Sequence, residues 1–233
     1  MNHIKDAGIC TPIGYNASAV SADIKGNGSG KLDVTLLTSE VPFKAAAVFT
    51  KNRFAAAPVK YSKTLLLTNS RFHGIIVNSG NANACTGQGG LEDCKEITSH
   101  FEKELGIPTG SLLINSTGVI GERLPVSKFK ENSQKLIDEL DEDNSKQFAE
   151  AIMTTDAVSK EYTVLVEDEA GAYVVAGAAK GAGMIAPSMA TMLGFITSDA
   201  MVDEKTLNEA LEYGVKNSFN SITVDGDMST NDT

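Results

Sequence analysis

The sequence of 233 residues has no tryptophan, three histidines, three cysteines and three arginines (Arg53, Arg71 and Arg123). Three arginines are too few for the planar forks that clamp phosphate groups. The cysteines, Cys10, Cys85 and Cys94, make no CxxC pair. Their odd number argues against a disulfide scaffold and makes a reducing cytoplasm the expected setting. His3, His73 and His100 lie far apart, with no HxxxH, HExxH or Cys/His cluster, so neither a metal nor any other cofactor is expected. Positive charge is short too: 20 basic against 30 acidic side chains leave a net charge of −10. That balance counts against nucleic acid or an anionic membrane as the main partner, since both demand a basic face. The least charged stretch, Ala172–Ile196, is interrupted by Lys180, Pro187 and glycines at 177, 181, 183 and 194. It would make a poor membrane helix and reads as a buried segment. The opening Met1–Asp6 has neither the apolar core of a signal peptide nor the Arg/Ser-rich character of a transit peptide, so no targeting segment is expected there.

What remains is an ordinary globular composition, 42% apolar, sized for one large domain or two small ones. Short β-rich runs at Asp33–Thr38, Ala45–Thr50, Lys63–Thr68 and Gly74–Asn78 predict strands. Leu91, Cys94, Ile97, Phe101 and Leu105 recur at helical spacing before Gly106-Ile-Pro, which places Cys94 in a core stripe. Leu112–Ser116 predicts a strand, and Ser127–Met153 a charged helix broken near Asp141–Asn144. Tyr162–Glu167 and Tyr173–Ala178 predict a hairpin, followed by a strand at Met192–Thr197 and a helix over Asp203–Phe219. Strands mixed with helices and hairpins point to a mixed α/β class. The end of the sequence is abrupt, with a strand just begun, as in a fragment.

Several chemistries fail on pattern. Asp225-Gly-Asp227-Met-Ser229 begins like a calcium loop but lacks its later ligands, so an Asx turn is expected. The glycine-rich loop 78–90 lacks the lysine of a phosphate cradle, and no GxSxG elbow occurs. With so few histidines, a nucleophile needs another base. A threonine freed at a chain start carries one in its own α-amine, with a reference pKa of roughly 7.7–8.0. Thr191 fits: small or flexible Ser188, Met189 and Ala190 precede it, and the apolar run Met192–Ile196 would anchor it. On pattern alone, the plain start of a strand is the commoner reading of Ala-Thr here.

Longer motifs decide for the nucleophile. Ala55-Ala-Ala-Pro58-Val, Asn78-Ser-Gly-Asn-Ala-Asn-Ala-Cys-Thr-Gly, Ser116-Thr-Gly-Val-Ile-Gly and Ile152-Met-Thr-Thr-Asp occur in order. Lys180-Gly-Ala-Gly-Met-Ile-Ala-Pro-Ser-Met-Ala-Thr-Met-Leu and Ile222-Thr-Val-Asp-Gly-Asp-Met-Ser-Thr-Asn-Asp are the most specific. With these the sequence resembles the ornithine acetyltransferases (glutamate N-acetyltransferases of the ArgJ type) of the cyclic arginine pathway. The resemblance implies an ArgJ/DmpA-like self-processing N-terminal-nucleophile fold. It implies cleavage between Ala190 and Thr191 into an α chain, 1–190, and a β chain beginning at 191. Thr191 would be the nucleophile, with Thr117 and Gly118 as the oxyanion hole and Thr154, Lys180 and Thr191 as substrate-binding residues. Acetyl would pass from N2-acetylornithine through acetyl-Thr191 to glutamate, leaving open whether acetyl-CoA also serves as donor. The expected partners are these small molecules and the two chains themselves, as a heterotetramer. Family members are substantially longer, so part of the pocket is expected beyond residue 233. Two rivals remain: an aminopeptidase or amidase on a similar scaffold with water as acceptor, and an uncleaved amino-acid-binding protein.

Overall fold

The computed structural model describes residues 1–169, 171–184, 192–222, 225 and 229–233. Two four-stranded sheets carry the fold. The first has the order β2 (Tyr15–Val20), β3 (Val34–Phe43), β4 (Phe72–Asn78), β5 (Leu112–Ser116); its pairs are antiparallel except β4–β5, which are parallel. A parallel pair needs a crossover, and α2 (Gly87–Leu105) supplies it, ended by Gly106 in the left-handed conformation that caps helices. The second sheet is antiparallel throughout, β1 (Asn2–His3), β6 (Lys160–Asp168), β7 (Gly171–Lys180), β8 (Leu193–Ser198).

The periodicities of the sequence explain the layers. Alternate residues of the first sheet, Val34, Leu36, Ile76, Leu112 and Ile114, pack on one side against Cys94, Ile97 and Phe101 of α2 and Phe129 and Leu136 of α3 (Val126–Asp138). The other side, with Ala17, Leu37 and Val77, meets a core completed by Phe148, Ala149 and Ile152 and by Ala178, Leu193 and Phe195 of the second sheet. Most of that middle layer belongs to α4 (Ser145–Ala151), which touches β2, β3 and β7 and so lies between the sheets. Helix α5 (Glu204–Lys216) starts at Asp203, whose carboxylate accepts the Thr206 N–H at 3.0 Å, and buries only Val215. No described helix is long and apolar enough to cross a membrane.

The hairpin and the strands near 34, 74, 112 and 193 lie where the sequence predicts them, but two predicted strands do not form. Lys63–Thr68 is the second half of α1 (Ala57–Thr68). Pro58 opens that helix, and the Thr64 and Thr68 hydroxyls satisfy themselves on the Lys60 and Thr64 carbonyls one turn back. A short apolar run cannot by itself distinguish strand from buried helix, and here packing on β5 decides. Ala45–Thr50 takes no regular secondary structure and joins no sheet; Thr50 instead donates its N–H to the Asp232 carbonyl at 3.0 Å and its hydroxyl to the Ser229 carbonyl at 2.9 Å. The strands β1 and β2 were not apparent in the sequence. Of the Asp225–Ser229 turn, residues 226–228 lie outside the described residues.

Candidate active site

The parallel pair β4–β5 ends in register at Asn78 opposite Ser116, so two loops leave the same edge together. Their backbones lock: the Thr117 N–H donates to the Asn78 carbonyl at 2.9 Å and the Val119 N–H to the Gly80 carbonyl at 3.2 Å. Gly118 sits between these bonds at φ +138°, and a Cβ there would lie 2.2 Å from the Gly80 carbonyl carbon. Only glycine allows this approach. The Gly118 N–H has no hydrogen-bond partner among the described residues.

Buried asparagines floor these loops. Asn78 donates to the Asn81 carbonyl at 2.8 Å and accepts the Ser116 hydroxyl at 2.7 Å. Asn81 accepts the Asn83 N–H at 2.7 Å, and Asn83 donates to the Gly90 carbonyl at 3.0 Å. Side-chain amides thus do for an irregular buried loop what a ladder does for a strand. A second strap, residues 229–233, lies across them: Asn231 donates to the carbonyls of Ala82 at 2.6 Å and Ser116 at 2.8 Å.

Lys180 enters from the second sheet. It ends β7, opposite Leu193 in register, and only 2% of it is exposed. Its Nζ donates to the Thr117 Oγ1 at 3.2 Å. Burial pushes its pKa below the ordinary lysine value, with the carboxylates of Asp156 and Asp232 pulling it back up and Lys160 pushing further down. Asp156 accepts from Lys160 Nζ at 2.6 Å, from the Gly181 N–H at 2.8 Å and from the Thr154 N–H at 3.4 Å. Burial raises its pKa, but these three donors and Lys180 prevail and hold it below the usual aspartate value. One carboxylate therefore ties the exposed turn bearing Thr154 to the chain beside Lys180.

Asp232 is fully buried. Its Oδ1 accepts the Met192 N–H at 2.9 Å, and its Oδ2 has no hydrogen-bond partner among the described residues. Burial lifts its pKa to about 7, against the opposing pull of the Ser229 hydroxyl, the Met192 N–H and the Lys180 cation. A small cavity of about 50 Å³ opens beside Thr117 and Gly118, walled by Ala82, Ile120, Met184 and Ser229–Asn231. A larger cleft of about 340 Å³, at Asn16, Thr38–Glu40, His73, Leu105 and Ile107, contains none of the residues expected to form the site.

Of the residues expected to form the site, Thr117, Gly118 and Lys180 come together, and Thr154 joins them through Asp156. Ala190 and Thr191 lie outside the described residues; the described chain resumes at Met192, held by Asp232. Asp156, Asn231 and Asp232 were not assigned roles from sequence, although all three stand inside the motifs quoted there.

The mixed α/β architecture has counterparts among solved structures. An L-aminopeptidase D-Ala-esterase/amidase from Ochrobactrum anthropi, described as a new variant among the Ntn hydrolase fold, matches over 90% of this chain and 67% of that one. Its TM-score is 0.52 at 10% identity, a likeness of fold alone. The model of the ArgJ family matches residues 16–233, and the chain belongs to this family. The arginine biosynthesis bifunctional protein ArgJ of Dehalococcoides mccartyi is 49% identical over 98% of this chain and 56% of its own length. An ornithine acetyltransferase from Mycobacterium tuberculosis, solved with ornithine, matches with a TM-score of 0.70 at 36% identity, covering 80% of this chain and 98% of that one. The chain spans about half the length of the curated relatives it matches.

Proposed function

We propose that the chain belongs to a self-processing acetyltransferase that moves an acetyl group from N2-acetylornithine to glutamate. The observation that supports this best is the hydrogen bond from Lys180 to Thr117, which joins two segments distant in sequence at one buried point. Because Lys180 donates to the Thr117 oxygen, the hydroxyl hydrogen of Thr117 stays free to donate outward, polarised by the cation behind it. With the unpartnered Gly118 N–H, that makes two donors for an oxyanion.

The polypeptide is cut between Ala190 and Thr191 into an α chain, 1–190, and a β chain that starts with the nucleophile. The Thr191 amine takes the proton of its own hydroxyl, which attacks the acetyl carbonyl of acetylornithine; the carbon–nitrogen bond breaks and ornithine leaves with the proton. Glutamate then takes the acetyl from Thr191. Thr154 and Lys180 hold the substrate, the Lys180 ammonium donating to the substrate's carboxylate. Acetyl-CoA is a second donor to be tried, since the relative from D. mccartyi is described as bifunctional. The two chains stay associated and pair into a heterotetramer in the cytoplasm.

The test is the complete gene product beside its Thr191→Ala variant. Intact mass should give two fragments for the first, the second beginning at Thr191, and one chain for the variant. Acetyl loss from acetylornithine should then depend on glutamate. Equal loss without glutamate would identify a hydrolase, and a wild type that stays whole would leave a binding protein.

A further inference from the structure

The transfer steps use the Thr191 amine as base, yet in the uncut chain that nitrogen is a peptide N–H with no basicity. The first cleavage therefore needs a different proton acceptor. We propose that the Asp232 carboxyl is this acceptor, taking the Thr191 hydroxyl proton during attack on Ala190 and returning it to the Thr191 nitrogen as the peptide bond breaks. This role presupposes the self-cleavage of Proposed function and adds the group that starts it.

Position comes first. Asp232 Oδ1 already holds the Met192 N–H at 2.9 Å, and that nitrogen is bonded to the Thr191 carbonyl carbon. The hydroxyl and nitrogen of Thr191 are thus a few covalent bonds from an atom that Asp232 grips. The strap gives the carboxyl little freedom to swing away: the Thr50 N–H donates to the Asp232 carbonyl at 3.0 Å, Thr233 to the Met192 carbonyl at 3.3 Å, and Gly194 to the Thr233 carbonyl at 3.0 Å.

Capacity comes second. Oδ2 is enclosed and has no hydrogen-bond partner among the described residues. Leaving a buried acceptor unmade costs about 1–3 kcal/mol, a cost that structural packing alone gives no reason to bear. Oδ1 already accepts the Met192 N–H, and Oδ2, with the Ser229 hydroxyl as a neighbour of the carboxyl, is the oxygen left to accept a further proton. The charged group that acts on the Asp232 carboxyl is Lys180, which Asp156 and Lys160 influence in turn. Burial keeps the carboxyl titrating near neutrality, where one group can both accept a proton and give it back.

The step balances. The Thr191 O–H bond breaks, its proton moves to Asp232, and the oxygen bonds the Ala190 carbonyl carbon. The carbon–nitrogen bond then breaks, and the nitrogen takes the proton from Asp232. The Ala190 acyl group is left as an ester on Thr191 beside a free amine. Water hydrolyses the ester, releasing the Ala190 carboxylate and restoring the hydroxyl. From then on the amine serves as base, and Asp232 is not needed for transfer.

The experiment follows cleavage of the complete gene product by intact mass after cell-free synthesis, for wild type, Thr191→Ala, Asp232→Asn and Asp232→Glu. The expected result is a folded Asp232→Asn chain that cuts at least roughly a hundred-fold more slowly, Asp232→Glu recovering part of the rate. The wild-type rate should rise with pH through about 7 and level off above it, as ionised Asp232 accumulates. A folded Asp232→Asn protein cutting within about three-fold of wild type overturns the proposal, as does a wild-type rate flat between about pH 5.5 and 8.5. If Asp232→Asn does not fold, the wild-type pH profile decides. Cutting by wild type and Asp232→Asn but not by Thr191→Ala removes Asp232 alone; a wild type that never cuts removes self-cleavage as well.

Discussion

Replacing Gly118 by alanine asks how tightly the two loops at the site are joined. The added methyl would sit 2.2 Å from the Gly80 carbonyl carbon and 2.4 Å from the Asn81 nitrogen, both in the one peptide unit whose carbonyl accepts the Val119 N–H across the same junction. Neither can retreat as a side chain could. Two costs add: about 1–3 kcal/mol for holding an L-residue at φ +138°, and about 1–3 kcal/mol for the overlap. Gly121→Ala isolates the first, since Gly121 has φ +97° and a methyl added there would meet nothing within 4 Å. Equilibrium urea unfolding should therefore show Gly118→Ala less stable than Gly121→Ala by about 1–3 kcal/mol at matched m-values. Under the proposed function, the Gly118 variant of the complete gene product should also lose acetyl transfer by about a hundred-fold or more, because moving its N–H would remove an oxyanion donor. If the two variants lose equal stability, the close approach of the loops is not what demands glycine, and the reasoning fails.

Ser62→Ala should cost about 1–3 kcal/mol in unfolding free energy, because the Ser62 hydroxyl donates to the Ile114 carbonyl at 2.7 Å and accepts the Ile114 N–H at 3.1 Å, closing the outer edge of β5. Asn231→Ala should release the 229–233 strap from the carbonyls of Ala82 and Ser116, seen as faster proteolysis near the strap than in wild type. A thiol reagent applied to folded protein should modify Cys85, which is exposed, before Cys10 and Cys94, whose thiols burial raises to about 11 and about 12; mass-mapped labelling checks the order. Asp232, raised to about 7 from an ordinary 3.8, binds its proton more tightly folded than unfolded, so its contribution to stability is present at low pH and fades as pH rises through about 7. Asp232→Asn, compared on a Thr191→Ala background that keeps both chains whole, should flatten that decline in urea titrations between about pH 5 and 8.

Much of the fold can be read from periodicity. Leu91 to Leu105 gave the crossover helix, short β-rich apolar runs gave β4 and β5, and two such runs around a turn gave the hairpin. The misreadings share a cause. Lys63–Thr68 looks β-like by composition but is helical because Pro58 starts a turn that Ser62 then fastens to β5. Ala45–Thr50 has the residues of a strand, yet its backbone finds partners in the strap near residue 230, a pairing no local pattern announces. The site behaves likewise. Thr117, Gly118 and Lys180 were nameable from motifs, but that Lys180 reaches Thr117 depends on two sheets meeting. Asp156 and Asp232 stayed unremarked because their importance lies in what they touch, Gly181 and Met192, and not in their spacing.

The 229–233 strap also sets an order of events. Four of its partners, Thr50, Ala56, Ala82 and Ser116, lie more than a hundred residues back along the chain, and two more, Met192 and Gly194, stand at the start of β8, so it can dock only once both sheets have closed. A nascent or misfolded polypeptide has no docked strap and, with Asp232 as the starting base, no means of cutting itself. Under the proposed self-cleavage, maturation would act as a proofreading step: the backbone would be severed only after the architecture that must survive the cut is complete.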